Sequence, residues 1–349
     1  VAERLAIGQW TILLGYAVLS WLALTALGRG PAAPAMLGVT GCLAAGSLGG
    51  ANGLVVALPF ALAAIAGRGR GAARRLALVC LTGAGLVAVW ALPSLVAGVS
   101  GDPSGAEAFA PRADVPGPTV VSLIAGGGMW NAAAHFVRGS APAGLLVTAF
   151  AVLALLAGVP LLWRTRLRRL LYAALVAFAA VAASALPGPR GGWDFLVVHL
   201  PGGGVLRDSQ KLLAPWVLLL ALAAGVAVDR LAATRPLSAG DAAARRARAP
   251  WLAGIAPVAG IVALLVPVAL QPRIAWGLGG WLSAHATPAD YRATAAALSA
   301  ADPGLVGVLP WNQYRRYPWN GGRICLTLAP RIVDQQLSLI HISEPTRPY

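Results

Sequence analysis

This sequence contains few charged side chains and few cysteines. Only 11% of its 349 residues are charged and 58% are hydrophobic, whereas ordinary soluble domains carry about 25% charged residues. The three cysteines match no metal or disulfide spacing. Walker, nucleophile-elbow, His-Glu-x-x-His and Cys-x-x-Cys motifs are also missing. These absences argue against a water-soluble globule, a disulfide-stapled domain and the common nucleotide, hydrolase and zinc sites.

Seven apolar runs have the roughly 20 residues that are needed to cross a bilayer. The second run is too long for one upright helix and contains Gly49, Gly50, Asn52 and Gly53, so it is either one kinked crossing or two short segments. The sequence therefore predicts an all-α polytopic integral membrane bundle with about 7–8 transmembrane helices. The runs are Ala6–Leu27, Ala35–Ala66, Leu76–Ala97, Ala143–Trp163, Leu170–Leu186, Leu212–Val228 and Trp251–Leu270.

Lysine is almost absent, since 26 of the 27 basic residues are arginine and only Lys211 is lysine. Three short loops hold half of the arginines, and arginine-rich short loops are typical of the cytoplasmic side. They alternate with two long loops, 98–142 and 187–211, which are predicted to lie outside a plasma membrane. Because the net charge of +15 is largely this topology signal, no nucleic-acid partner is expected. The arginine-rich loops contain Arg68, Arg70, Arg74 and Arg75; Arg164, Arg166, Arg168 and Arg169; and Arg230, Arg235, Arg245, Arg246 and Arg248.

The composition changes after the last apolar run. Residues 1–270 form the predicted transmembrane domain, and residues 271–336 read as a truncated extracytoplasmic domain that begins a small α/β segment. Residues 337–349 resemble a translated sequencing adapter and are treated as an artefactual tail. We expect the natural chain to continue beyond Gln336 and to begin before Val1.

The best candidate binding site lies directly before the sixth apolar run, in residues 201–211. Three glycines there allow close backbone approach to a ligand. Arg207 and Lys211, four positions apart, lie near a predicted helix N-terminus with Ser209 between them, which together would bind an anion. At a membrane surface that anion is a lipid phosphate or diphosphate. The alternative is that both cations are interfacial anchors and that Asp208 only caps the helix.

A second candidate is an aromatic and polar run near the C-terminus. Indole faces beside amides and guanidinium groups are typical of sugar binding. The alternatives are an interfacial aromatic belt and domain core, with Asn320-Gly321 as a hairpin turn. The candidate glycan-binding residues are Trp311, Asn312, Tyr314, Trp319, Asn320 and Arg323.

These features together resemble actinobacterial C-type glycosyltransferases, including arabinofuranosyltransferase-like proteins. They are the arginine-rich inner loops, the long outer loops, the Leu-Arg-Asp-Ser-Gln-Lys element at 206–211 and the Trp-Asn-Gln-Tyr-Arg-Arg-Tyr-Pro-Trp-Asn run at 311–320. The resemblance implies transfer of a sugar from a polyprenyl-phosphate donor to a cell-envelope glycan or lipid on the outer side of the membrane.

The resemblance leaves the catalytic residue open. Such enzymes normally carry a catalytic carboxylate in the first outer loop, and here Gly28–Pro34 has no acid. Asp102, Glu107 and Asp114 remain as candidates for a base. No cofactor or metal site is indicated, although a divalent cation is left open. The alternative function is a non-catalytic membrane protein for envelope glycan binding or export.

Overall fold

The computed structural model describes residues 2–27, 32–65, 71–96, 103–137, 141–165, 167–200, 202–232, 250–270, 275–301, 304–308, 314–335 and 337–338. The chain forms two compact units, a helical unit over Val1–Trp281 and a small unit over Leu282–Tyr349.

The first four helices form a tightly packed group. They are α1 (Ala2–Ala6), α2 (Trp10–Leu27), α3 (Ala32–Ser47) and α4 (Gly50–Ile65). The long apolar run at 35–66 therefore forms two short helices, because the chain turns at Gly50, whose φ of +66° suits glycine. A Cβ at Gly53 would lie 2.1 Å from the carbonyl oxygen of Gly46, and one at Gly49 would lie 2.3 Å from that of Thr11. Glycine thus allows α3 and α4 to pack against each other and against α2.

The rest of the helical unit contains both long and short helices, and the short ones lie in the two long loops. Its helices are α5 (Ala72–Val96), α6 (Pro103–Ala108), α7 (Thr119–Ile124), α8 (Ala141–Trp163), α9 (Arg168–Ala185), α10 (Pro187–His199), α11 (Ala214–Ala232) and α12 (Pro250–Ala269). Short 3-10 helices cover Ala132–Val137, Gly203–Leu206 and Ser209–Leu213. Beyond α12, Trp276 and Leu278 have left-handed backbone angles in the turn Ala275–Gly279.

In the part of the chain that the structure describes, four helical segments are long and apolar enough to cross a membrane, namely Ala72–Val96, Ala141–Trp163, Arg168–Ala185 and Ser209–Arg230. Shorter apolar helical stretches in the described residues lie at Trp10–Thr25, Pro34–Ser47, Gly50–Ile65 and Pro257–Val266. The protein is therefore an α-helical chain of multi-pass membrane type. The count of seven or eight crossings stays a prediction.

Two buried clusters hold the helices together. One joins Leu22 of α2, Leu43 of α3 and Phe60 of α4, and reaches Leu170 at the start of α9. The other joins α9 and α11 through residues such as Leu171 and Leu219. By contrast, only 11% of the apolar window of α5 is buried. Exposing so large an apolar surface to water would be unfavourable, so this surface of α5 fits contact with lipid.

The two long loops meet at one end of this unit. The side chain of Gln210 donates to the carbonyl of Gly127, and the indole of Trp216 donates to the carbonyl of Ile124, both at 3.0 Å. At this end Ser184 of α9 also contacts Ser209. Arg168 begins α9 sixteen residues earlier, so the arginine-rich turn lies about 24 Å away along the helix. The predicted grouping of the two long loops agrees with this arrangement, and the side of the membrane that they face stays a prediction.

The small unit contains a helix, α13 (Ala289–Ser299), a short helix, α14 (Ala329–Ile332), and four short strands. Strands β2 (Tyr314–Arg316) and β3 (Ile324–Leu326) pair in antiparallel fashion around the turn that contains Asn320 and Gly321. Strands β1 (Val306–Gly307) and β4 (Leu337–Ser338) form a two-residue parallel pair. Whether this unit opens a larger α/β domain stays a prediction.

Candidate functional site

The glycine-rich segment before α11 is shaped by two of its glycines. Gly202 has a left-handed φ of +74°. A Cβ at Gly203 would lie 2.4 Å from the carbonyl oxygen of Leu196, so only glycine lets the segment pack against α10. Gly204 lies on the wall of a cavity. The backbone freedom predicted from the sequence therefore serves the turn and the contact with α10, and brings the following residues to the cavity.

An ion pair between Arg4 of α1 and Asp208 anchors this segment to the N-terminus. The guanidinium of Arg4 contacts both carboxylate oxygens, one of them at 3.0 Å, and also donates to the side-chain oxygens of Gln9 and Gln210. Arg4 is 2% exposed and Asp208 is 6% exposed. Burial is the largest single effect on the pKa of the Arg4 guanidinium and lowers it, but the charge and hydrogen bonding of Asp208, with smaller contributions from Tyr16 and Glu3, together leave that pKa above its ordinary value.

Lys211 is buried one helical turn further on. Its ammonium donates to Asn52 Oδ1 at 2.6 Å and to the carbonyl oxygen of Val205. Asn52 lies in the first turn of α4, just after the Gly50 bend. The lysine therefore links the loop before α11 to the short-helix pair, and its two partners are both neutral oxygens.

These residues surround a cavity of about 190 Å³ at the loop end of the helical unit. Arg207 lies on its wall with the guanidinium carbon 4.8 Å from the ring centroid of Phe109, within cation–π distance. Trp130 packs edge-on against Phe109, and their ring centroids are 4.5 Å apart. The lining residues are Gln9, Ile12, Asn52, Phe109, Gly204, Val205, Arg207, Asp208 and Lys211.

The charges on this wall are unbalanced. Arg207 and Lys211 are cationic, and among the described residues that line the cavity Asp208 is the acidic one. Asp208 is already paired with Arg4. Among the described residues no carboxylate forms a salt bridge with Arg207 or Lys211. A cavity with this arrangement attracts an anion.

Of the three residues predicted to bind lipid phosphate, Arg207 and Lys211 line the cavity and Ser209 does not. The Ser209 hydroxyl lies 2.6 Å from that of Ser184 on α9 and is fully buried. Asp208 makes no side-chain capping bond, because its carboxylate pairs with Arg4.

The predicted acidic candidates lie elsewhere or outside the described residues. Asp102 lies outside them, and Glu107 is exposed on α6. Asp114 is buried, and one of its carboxylate oxygens accepts from the backbone N–H groups of Gly128 and Met129 at 2.8 and 3.3 Å. It therefore orders the loop 114–129 and does not line the cavity.

The predicted glycan-binding residues all belong to the small unit. Trp311 and Asn312 lie outside the described residues, and Tyr314 begins β2. Trp319 stacks on Tyr317 with ring centroids 5.2 Å apart. The Oδ1 atom of Asn320 accepts from the backbone N–H of Arg323 at 3.0 Å, and its Nδ2 atom donates to the carbonyl oxygen of Arg323 at 3.1 Å.

These contacts use Asn320 for the turn between β2 and β3. Arg323 donates to the hydroxyl of Ser283 at 2.9 Å. Trp319 packs in an aromatic cluster with Tyr317 and Tyr291. The domain-core alternative therefore accounts for the observed partners of these three residues, and sugar binding by them stays a prediction.

The sequence reasoning missed four cavity or network residues, namely Arg4, Gln9, Asn52 and Phe109. One signal was available for Asn52, since it is the only Asn or Gln between Gln9 and Asn131 and lies in an apolar run. In the described ranges no group of three His, Cys, Asp or Glu side chains is placed to hold a metal ion.

Comparisons with known proteins do not extend this description. A scan of family models and searches of curated proteins and of solved structures find no match to this chain. The fold and the site define a helical membrane-type protein with a small cationic cavity at the end where its long loops meet.

Proposed function

We propose that this chain is part of a membrane glycosyltransferase that holds the phosphate of a polyprenyl-phosphate sugar in the cationic cavity. The sugar would then pass to a cell-envelope glycan or lipid on the outer side of the membrane. The observation that carries the proposal is the presence of Arg207 and Lys211 on one cavity wall without a carboxylate partner among the described residues.

The position of the cavity supports a lipid rather than a soluble donor. The Lys211 residue belongs to the apolar segment Ser209–Arg230, which is long enough to cross a membrane. A phosphate at this depth lies near the level where lipid headgroups meet hydrocarbon. The isoprenoid tail of the donor would then run along the apolar surface of the helices while the phosphate stays among polar groups.

The chemical step requires a base for the acceptor hydroxyl and cations for the leaving phosphate. Arg207 and Lys211 supply the cations. Asp208 is the one carboxylate on the cavity wall, and its pairing with Arg4 favours a positioning role for it. The same observation favours the second candidate function, in which the chain binds lipid-linked or polymeric glycan without turning it over.

Binding of a polyprenyl phosphate tests the proposal. The full chain in lipid nanodiscs is titrated with undecaprenyl phosphate, with the neutral alcohol undecaprenol as a reference. We expect saturable binding of the phosphate only, weakened about tenfold or more by Arg207→Gln and by Lys211→Met, since each removes a charge-assisted bond.

Arg168→Gln is the matched control, because Arg168 is exposed at the start of α9, at the end of that helix that lies away from the cavity. Equal affinity for the alcohol, or equal loss in the control, contradicts the proposal. A second assay with a polyprenyl-phosphoryl pentose labelled in the sugar separates the two candidates. Release or transfer of label supports the enzyme, and binding without release supports the non-catalytic function.

A further inference from the structure

Asn52 has an unusual place for an amide side chain. It lies in the first turn of α4, where Gly53 packs directly on the backbone of Gly46 and the Gly50 bend separates α3 from α4. Its side chain reaches Lys211, 159 positions away in the sequence. The short-helix pair therefore brings a neutral hydrogen-bonding group to a cavity that is otherwise built by loops.

The chemistry of Lys211 fixes which end of the Asn52 amide faces it. An ammonium group can only donate, so the Asn52 atom 2.6 Å from Nζ is the carbonyl oxygen. The other end of the amide is an NH2 group, which can only donate. Among the described residues this NH2 group makes no hydrogen bond, and Asn52 lines the cavity.

Gln9 repeats this arrangement with a different cation. Its side-chain oxygen accepts from the guanidinium of Arg4, which is also a donor only. Its NH2 group has no acceptor among the described residues, and Gln9 lines the same cavity. Gln210 provides the contrast, because its oxygen also accepts from Arg4 while its NH2 donates to Gly127 at 3.0 Å, and it does not line the cavity.

We infer that Asn52 and Gln9 are direct ligands of the bound phosphate, each donating its side-chain NH2 to a phosphate oxygen. The inference rests on the proposed function and adds two neutral donors to the charges of Arg207 and Lys211. Buried cations hold both amide oxygens, and the NH2 groups of these two cavity-lining residues are the ends left to donate to an anion. Such a four-donor wall suits the several acceptor oxygens of a phosphate ester or a free phosphate.

The test uses substitutions that keep each cation's partner and remove only the donor. Asn52→Asp keeps an oxygen for Lys211, and Gln9→Glu keeps one for Arg4. Both turn an N–H donor toward the cavity into a carboxylate oxygen. A carboxylate also neutralises the neighbouring cation, so Asn52→Asp is compared with Asn52→Leu in the Lys211→Met background, where the amide has no cation to hold. If the Asn52 amide binds phosphate, Asn52→Leu weakens phosphate binding further in that background, and if the amide only holds the lysine, it does not.

The readout is binding to the full chain in nanodiscs. Undecaprenyl phosphate, inorganic phosphate and undecaprenol are the three probes. We expect each variant to weaken undecaprenyl phosphate about tenfold or more and to leave undecaprenol unchanged. Competition by inorganic phosphate at similar concentration identifies a free-phosphate site, and a preference for the lipid identifies a headgroup site.

The control is Ala113→Asp, which places a carboxylate at an exposed position of loop 98–142 that does not line the cavity. A wild-type affinity in Asn52→Asp and Gln9→Glu, with Arg207→Gln still weakened, overturns the inference and leaves the proposed function standing. Absence of phosphate binding to the wild-type chain overturns both.

Discussion

The buried pair between Arg4 and Asp208 gives the sharpest prediction about stability. The two side chains are 2% and 6% exposed, so neither charge is solvated when its partner is lost. Removing one member of a buried ion pair costs about 3–5 kcal/mol. We therefore expect Asp208→Asn and Arg4→Met each to lower the free energy of unfolding by about 3 kcal/mol or more.

The assay is unfolding of the full chain by sodium dodecyl sulfate in mixed micelles, followed by tryptophan fluorescence. A double-mutant cycle isolates the pair, because Arg4→Met with Asp208→Asn removes both charges and leaves neither unpaired. We expect the double variant to lose about 3 kcal/mol less than the sum of the single variants.

A second ion pair in the same chain serves as the control. Arg190 and Asp194 lie one turn apart on α10 at 3.6 Å, with side chains 29% and 33% exposed. Such a pair contributes less than about 1 kcal/mol, so Arg190→Gln should cost much less than Arg4→Met. Single losses below about 1 kcal/mol at Arg4 and Asp208, or strict additivity, would refute the reasoning.

Three further predictions concern packing, loop order and thiol reactivity. Gly53→Ala places a Cβ 2.1 Å from a backbone oxygen of α3 and should lower stability in the same assay, whereas Gly41→Ala, with no atom within 4 Å, should be neutral or raise it by up to about 1 kcal/mol. Asp114→Asn removes the carboxylate that holds the N–H groups of Gly128 and Met129, so limited proteolysis should cut loop 114–129 faster. Burial raises the pKa of the Cys325 thiol, so in a variant without the other cysteines its alkylation by iodoacetamide should reach half its maximal rate at a higher pH than that of free glutathione, and an equal or lower midpoint would contradict this.

Local sequence signals predicted the membrane class and part of the site. Apolar length predicted the four longest spans, and the spacing of Arg207 and Lys211 before an apolar run predicted two residues that line one cavity. These predictions succeed because the length of an apolar run and the residues at the start of a helix can both be seen in a short stretch of sequence. The break in the second apolar run was also visible, since Gly50 and its neighbours interrupt it.

Long-range pairing could not be predicted in this way. Asp208 has the sequence position of a helix cap, but its carboxylate pairs with Arg4, 204 positions earlier. A single-sequence pattern gives no information about such a partner, and a buried guanidinium outcompetes a backbone N–H for the carboxylate. Ser209 likewise faces Ser184 and not the cavity, because the segment 209–213 is a 3-10 helix in which residue positions do not follow α-helical spacing.

The choice of amides as partners for two buried cations is itself informative about the ligand. A buried lysine is usually paired with a carboxylate, since a neutral oxygen compensates its charge less completely. With an aspartate in place of Asn52, Lys211 would be better balanced and its charge would no longer be available to the cavity. The amide satisfies the ammonium's hydrogen bond, leaves its charge uncompensated and adds a donor. That combination suits a cavity in which a bound anion supplies the remaining negative charge.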